Sequence, residues 1–163
     1  MSAASLFRWS AEFEIVPMDR EDCSEASNLH ASGFSRVWSD GEIRALLDQD
    51  LVFDFIARQA GRRDRAGGFI LARLAADEAE ILTVAVSPRN RRTGLGWRLM
   101  GAVVSQLRAE GIEKLFLEVD EGNASAIALY NKMGFAKVAE RAAYYQRDGG
   151  ARSAALVMRL DLG

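Results

Sequence analysis

The sequence predicts a single α/β domain built on a mixed, mostly antiparallel sheet with helices packed against it. Three observations carry that expectation. The chain has 163 residues and is 49% hydrophobic, the size of one domain with enough apolar material to fill one core. Its first half is dominated by alternating and apolar runs that read as strands. Its second half reads strand, helix, strand, helix, strand, an order in which a crossover helix lets two strands run parallel.

Each element has its own local reason. Residues 12–18 alternate apolar and polar side chains and lead into a polar, helix-compatible stretch at 20–31. A second helix is expected at 39–50, with Ser39 or Asp40 as N-cap and Ile43, Leu46 and Leu47 at helical spacing. The link between the two helices carries Phe34 and Trp38. Strands follow at 52–58, 68–75 and 80–87, with 61–67 as a charged turn. A basic loop at 88–93 precedes a helix at 94–110 whose Leu95, Leu99, Val103 and Leu107 share one face, and Gly111 stops it. Residues 114–119 form a short apolar strand with one isolated acid: Leu115, Leu117 and Val119 point one way, Phe116 and Glu118 the other. Asn123 caps a helix running to 132, which Gly134 closes, and the last two strands lie at 135–140 and 152–160, joined across 146–151. Internal repeats, low-complexity tracts and long linkers are absent from the sequence.

Composition narrows the function classes. With 21 basic and 23 acidic side chains the net charge is −2, too balanced for a protein that coats nucleic acid or a polybasic membrane binder. No run approaches the ~20 apolar residues of a bilayer span, and residues 1–14 lack a basic end followed by an apolar run, so a soluble, cytoplasmic protein is expected. The one cysteine, Cys23, and the one histidine, His30, rule out an intrachain disulfide and leave too few ligands for a zinc site of the usual Cys/His kind. Cys23 reads as a half-buried small apolar residue and His30 as a packing or loop residue. Residues 1–80 carry a net −6 and residues 81–163 a net +4, so an anionic small molecule is better placed on the second half.

The strongest chemical signal is the strand Leu82-Thr83-Val84-Ala85-Val86 followed by Arg91-Arg92-Thr93-Gly94-Leu95-Gly96 at a helix start. Glycines there let backbone approach a ligand, while the amides of the first helical turn and the helix dipole favour negative charge. Arg89, Arg91 and Arg92 add charge-assisted contacts to phosphate oxygens. A glycine-softened turn with solvated arginines has the same composition. The string fits neither a Walker loop nor a dinucleotide fingerprint, whose third small residue is replaced by Leu99.

Arg-x-x-Gly-x-Gly after a strand resembles the acetyl-CoA pyrophosphate loop of the GNAT acetyltransferase superfamily. Downstream, Leu117-Glu118-Val119, Asn123-Ala124-Ser125-Ala126-Ile127-Ala128-Leu129-Tyr130, Met133-Gly134-Phe135 and Tyr144-Tyr145, with Leu29-His30 and Trp38-Ser39 near the front, are similar to the RimI-type branch, the ribosomal protein alanine N-acetyltransferases. The resemblance spans about residues 12–160. It implies one GNAT domain over 1–163, with a splayed parallel strand pair, that transfers acetyl from acetyl-CoA to a peptide α-amine by direct attack, without a metal. It further implies that the cofactor is held by the backbone of Val84, Ala85 and Val86, by Arg91, Arg92, Thr93, Gly94, Leu95, Gly96 and Trp97, and by Asn123 on the pantetheine arm.

The same resemblance makes Glu118 the general base and Tyr130 the general acid that protonates the departing sulfur. Read alone, Glu118 is also what a solvated strand acid looks like, Tyr130 a core residue and Asn123 an N-cap. An α-amine, with a reference pKa of about 7.7–8.0 against about 10.4 for lysine, asks little of its base. The implied partner is a protein N-terminus, in the branch that of a small-subunit ribosomal protein, with no direct nucleic-acid or membrane contact. The chain departs from the branch before the last strand: Arg152-Ser153-Ala154-Ala155 replaces a common acidic pair, with Arg141 and Arg147 nearby. A positive rim there disfavours a basic peptide unless Glu21, Glu25, Asp40 and Glu42 supply the complementary charge. A GNAT enzyme for a small-molecule amine and an acyl-CoA-binding module without turnover are the competing readings.

Overall fold

A computed structural model describes residues 12–34, 36–146 and 152–163. In chain order it contains β1 (Phe13–Val16), a 3-10 turn (Arg20–Asp22), α1 (Cys23–Ala31), α2 (Asp40–Leu47), β2 (Val52–Gln59), β3 (Arg62–Ala75) and β4 (Glu78–Val86). A second 3-10 turn (Pro88–Asn90), α3 (Leu95–Ala109), β5 (Lys114–Asp120), α4 (Ala124–Met133), β6 (Ala136–Gln146) and β7 (Arg152–Asp161) follow. The strands are hydrogen-bonded in the order β1-β2-β3-β4-β5-β7-β6, with β4–β5 the parallel pair and the rest antiparallel. This is the mixed, mostly antiparallel sheet that the sequence predicts. Two compact units divide the chain, one within 1–71 and 83–103, the other within 72–82 and 104–163.

In the first unit, β1 pairs with β2 from Phe13–Gln59 to Val16–Ile56. The polar stretch at 20–31 starts as a 3-10 turn because Asp22 Oδ2 accepts the Asp19 amide at 2.7 Å and also receives the Arg58 guanidinium. Cys23 is fully buried rather than half-buried, as are Ala26, Ile43 and Ile56. Ser39 caps α2, its Oγ accepting the Glu42 amide at 3.1 Å, and the helix stops at Leu47, three residues before the expected end.

The expected charged turn at 61–67 is instead the start of β3. The turn itself is only Ala60-Gly61, with Gly61 at φ +77°, and the strand begins at Arg62. Gly67 and Gly68 belong to that strand for a packing reason. A Cβ on Gly67 would lie 2.7 Å from Leu95 Cδ2, and one on Gly68 would lie 2.6 Å from the Ala85 carbonyl oxygen and 3.1 Å from Leu99 Cδ1. Glycine here is what lets α3 lie close against β3 and β4.

In the second unit, the β4–β5 ladder has three pairs, Glu78–Lys114, Ala79–Leu115 and Glu80–Phe116. β5 pairs with β7 along its whole length. Leu115, Leu117, Val119, Phe135, Met158 and Leu160 are buried there, the alternation expected for β5. α4 begins at Asn123, whose Oδ1 accepts the Ala126 amide at 3.3 Å, and ends at Gly134 in the left-handed region at φ +107°. β6 runs six residues past its expected end, to Gln146, with register shifts between Lys137 and Ala139 and between Arg141 and Tyr145. Residues 147–151 of the expected connection, Arg147 among them, lie outside the described residues, as do residues 1–11. No helix among the described residues is long and apolar enough to cross a membrane.

Candidate functional site

In the first unit, β4 ends where Ser87 donates its amide to the Gly67 carbonyl at 2.8 Å. The chain then makes the 3-10 turn, tied by Asn90 Nδ2 to Ser87 Oγ at 2.6 Å and by Thr93 Oγ1 to the Asn90 carbonyl at 2.5 Å. Arg92 at φ +65° and Gly94 at φ +84° reverse the backbone into α3. The first intrahelical bond runs from the Arg98 amide to the Gly94 carbonyl at 3.1 Å, so the amides of Leu95, Gly96 and Trp97 precede it and have no acceptor within the helix. A Cβ on Gly94 would meet nothing within 4 Å. Open space, outward amides, the positive end of a helix dipole and the exposed Arg89, Arg91 and Arg92 fit a diphosphate.

Arg91 has a second task that its place in the motif does not reveal. Its Nε donates to the Val86 carbonyl at 3.3 Å and its Nη2 to the Ser32 carbonyl at 3.4 Å, so it ties the end of β4 to the residue that follows α1. Beyond that residue lies the link carrying Phe34 and Trp38. His30 organises it: buried, it stacks on Phe34 at 4.2 Å and on Trp38 at 4.8 Å, and its Nδ1 accepts the Trp38 amide at 3.2 Å. That acceptor role fixes Nδ1 without a proton. Burial, first, and the nearby Arg36 push its pKa below the ordinary value while Glu42 opposes them. Of the two expected places for His30, packing or loop, the structure shows the first, on α1.

Three of the four acids expected to offset a positive rim are engaged locally. Glu25 Oε1 accepts the Ala66 amide at 2.6 Å, Asp40 pairs with Arg44 at 3.4 Å and Glu42 with Arg36 at 3.9 Å. Glu21 lines a cavity of about 560 Å³ with Asp19, Asp22, Ser24, Glu25, Asn28 and Arg58. A smaller one, about 290 Å³, borders the turn that leads into α3 through Ser87, Arg89 and Asn90.

The second unit holds Glu118, Asn123 and Tyr130. Glu118 stands on the exposed face of β5, between the buried Leu117 and Val119. Its Oε1 lies 3.0 Å from Arg141 Nη2 of β6, the side chains 33% and 54% exposed. Tyr130 is buried on α4, its ring 5.7 Å from that of Phe135 and tilted by 58°. Where the branch pattern has an acidic pair, Ser153, Ala154 and Ala155 are buried in β7. Two acids nevertheless reach them from the end of β5: Asp120 Oδ1 accepts from Ser153 Oγ at 2.7 Å, and Glu121 Oε1 from the Ala154 amide at 3.1 Å. The side chains of Tyr144 and Tyr145 lie outside the described residues. The partnership of Glu118 with Arg141 escaped the sequence reading, which placed Arg141 only on a positive rim; strand register is its signal, and that needs the topology. Among the described residues no three His, Cys, Asp or Glu side chains converge as metal ligands.

Comparison with known proteins gives a consistent set of likenesses. Residues 20–135 match the model of the acetyltransferase (GNAT) family. The chain is 35% identical over 148 residues to the ribosomal protein bS18-alanine N-acetyltransferase of Escherichia coli (strain K12), covering 91% of this chain and 97% of that protein. It is 40% identical over 91 residues to the protein of the same name from Haemophilus influenzae, covering 56% of this chain and 62% of that one. Among solved structures it is similar to the crystal structure of the Escherichia coli ribosomal-protein-alanine N-acetyltransferase, with a TM-score of 0.84 and 28% identity over 93% of this chain and 94% of that one.

Proposed function

The chain belongs to the acetyltransferase (GNAT) family, and from that premise we propose that it transfers the acetyl group of acetyl-CoA to the N-terminal α-amine of a protein, with an alanine-initiated ribosomal protein as acceptor. The observation that carries this reading is the likeness along 97% of an Escherichia coli enzyme whose name states that activity. It favours a peptide acceptor over a small-molecule amine. We read residues 1–163 as one acetyltransferase domain, in keeping with β3 and β4 each belonging to both compact units, and place the reaction in the cytoplasm.

Acetyl-CoA supplies an acetyl thioester that an amine can attack. The backbone at Thr93, the amides of Leu95, Gly96 and Trp97 and the side chains of Arg91 and Arg92 hold its diphosphate, with Gly94 leaving room for the approach. The backbone of Val84, Ala85 and Val86 pairs with the pantetheine amides as an added strand would, and Asn123 contacts the same arm beside its capping bond. Glu118 accepts the proton of the α-amine as nitrogen bonds to the acetyl carbon, and Tyr130 donates its phenolic proton as the carbon–sulfur bond breaks. Solvent then restores the proton to Tyr130 and removes the one on Glu118. The products are an N-acetyl peptide and free CoA thiol.

The test is incubation with acetyl-CoA and an Ala-Arg-initiated peptide, a polyamine or an N-acetylated lysine peptide, followed by mass spectrometry. Acetylation on the α-amine of the first is expected. Polyamine acetylation with an untouched peptide would overturn the acceptor, and acetyl-CoA binding without thiol release in any arm would overturn the reaction.

A further inference from the structure

The carboxylate assigned as base has a cation beside it, and the register of the sheet puts it there. Glu118 of β5 lies opposite Val157 of β7, which lies opposite Ala139 of β6, so these three share a face. Arg141 lies opposite Ala155, two residues along β7 from Val157, and therefore falls on that face too. It does so because β6 is bulged: Lys137 opposes Met158 but Ala139 opposes Val157, so two steps of β6 match one of β7. A regular strand would have carried Glu140 to the place opposite Ala155, since a slip of one residue turns every side chain to the other face. Just past Arg141 the register shifts again, with four steps of β6 against two of β7. Bulges of this kind re-aim side chains, and here the outcome is a guanidinium 3.0 Å from Glu118 Oε1.

We propose that Arg141 is a positioning residue for Glu118 that also makes the enzyme select acceptors by the charge of their amine. This rests on reading Glu118 as the base. The pair occupies Oε1, orients the carboxylate and leaves Oε2 to the acceptor nitrogen. The guanidinium places positive charge where the amine arrives, so an acceptor that comes as an ammonium meets repulsion and one that comes neutral does not. At pH 7.5 roughly three in ten peptide α-amines are neutral against about one in a thousand lysine ε-amines. Arg141 thus widens the preference for protein N-termini over lysines and polyamines, which are cationic at neutral pH. The second-half positive rim works for the α-amine rather than against it.

The experiment compares wild type, Arg141→Gln and Arg141→Lys on an Ala-initiated peptide without lysine and on an N-acetylated peptide with one lysine, reading kcat and kcat/KM for each and the KM for acetyl-CoA. Arg141→Gln is expected to lower kcat on the α-amine peptide severalfold, to leave the KM for acetyl-CoA unchanged and to reduce the α-over-ε ratio of kcat/KM about tenfold. Arg141→Lys, which keeps charge but not the planar fork, should hold that ratio while recovering only part of kcat, a split that a merely structural role would not produce. A ratio within twofold of wild type in Arg141→Gln, or an ε-product that stays undetectable, overturns the proposal. Glu118→Gln run alongside separates the two failures. If it is inactive while Arg141→Gln keeps the wild-type ratio, only the role of Arg141 falls; if it turns over like wild type, the base assignment falls and takes Arg141 with it.

Discussion

The loop that opens α3 and the strand that carries Glu118 are made of different material. The loop is a backbone construction: its directing groups are the amides of Leu95, Gly96 and Trp97, set by the dihedral angles of Arg92 and Gly94, and its arginines add charge from the rim. The strand is a side-chain construction, in which Glu118 takes its surroundings from Arg141, 23 positions later in the chain and two strands away. A backbone device is specified by contiguous residues and survives most side-chain changes. A side-chain device depends on register, so single substitutions disable it while the fold persists.

Substitutions on the two sides should therefore fail differently. The largest effect is expected from Glu118→Gln, which removes the proposed proton acceptor and should lower kcat about 10²- to 10³-fold while calorimetry shows acetyl-CoA affinity unchanged; a wild-type rate would return Glu118 to the solvated surface. Tyr130→Phe keeps a buried ring against Phe135 and deletes the phenolic proton, and a fall in kcat of roughly thirtyfold is expected from the loss of the proposed acid. An unaltered rate with unaltered melting would leave Tyr130 a core residue.

On the backbone side, Gly68→Ala forces a Cβ to 2.6 Å from the Ala85 carbonyl oxygen. Backbone yields poorly, so a loss of about 2 kcal/mol is expected, seen as a lower melting temperature. Gly94→Val meets no neighbour in the free protein but takes a left-handed conformation and fills the phosphate approach, so acetyl-CoA should bind about tenfold more weakly, a cost of about 1.4 kcal/mol. Wild-type affinity in that variant would break the assignment of the loop.

The smallest effect is in pH. His30 is the one histidine of the chain, and burial lowers its pKa in the folded state. The unfolded chain therefore binds a proton that the folded chain refuses, and the stability held above the ordinary pKa of about 6.5 is lost as pH falls through that value. Chemical denaturation of wild type and His30→Gln between pH 7.5 and 6 should show a slope in the first that the second lacks. Asp54, raised by burial, acts with the opposite sign at lower pH and is common to both proteins. Equal slopes would mean that folding leaves the proton affinity of His30 unchanged.

What was legible in the sequence follows the same division. Strand alternation in 114–119, the Asn123 and Ser39 caps and the Gly134 stop are local, and all appear where the sequence puts them. The turn at 88–94 and the start of α3 are local too, because glycine spacing and a helix start are contiguous. Gly67 and Gly68 misled the reading: glycines beside charged residues look like a turn, and only the packed Leu95 and Leu99 explain them as strand. Nor did the missing acidic pair near Ser153 foretell that Asp120 and Glu121 reach β7 from a different strand. The ion pair of Glu118 with Arg141 was hidden for the same reason, since it depends on a bulge that no local pattern announces.

That bulge gives β6 an uncommon sensitivity to length. Adding one residue at Val138 leaves the reading frame intact and every side chain of the pair present, yet with the bulge still one residue long it exchanges Arg141 for Glu140 opposite Ala155, beside Glu118, and turns attraction into repulsion. Removing Val138 instead takes out the bulge and leaves Arg141 in place. Among inherited changes to this strand, a three-nucleotide insertion is thus more consequential than a conservative missense change at either partner, and added length at 137–139 in relatives is where a change of acceptor would first be written.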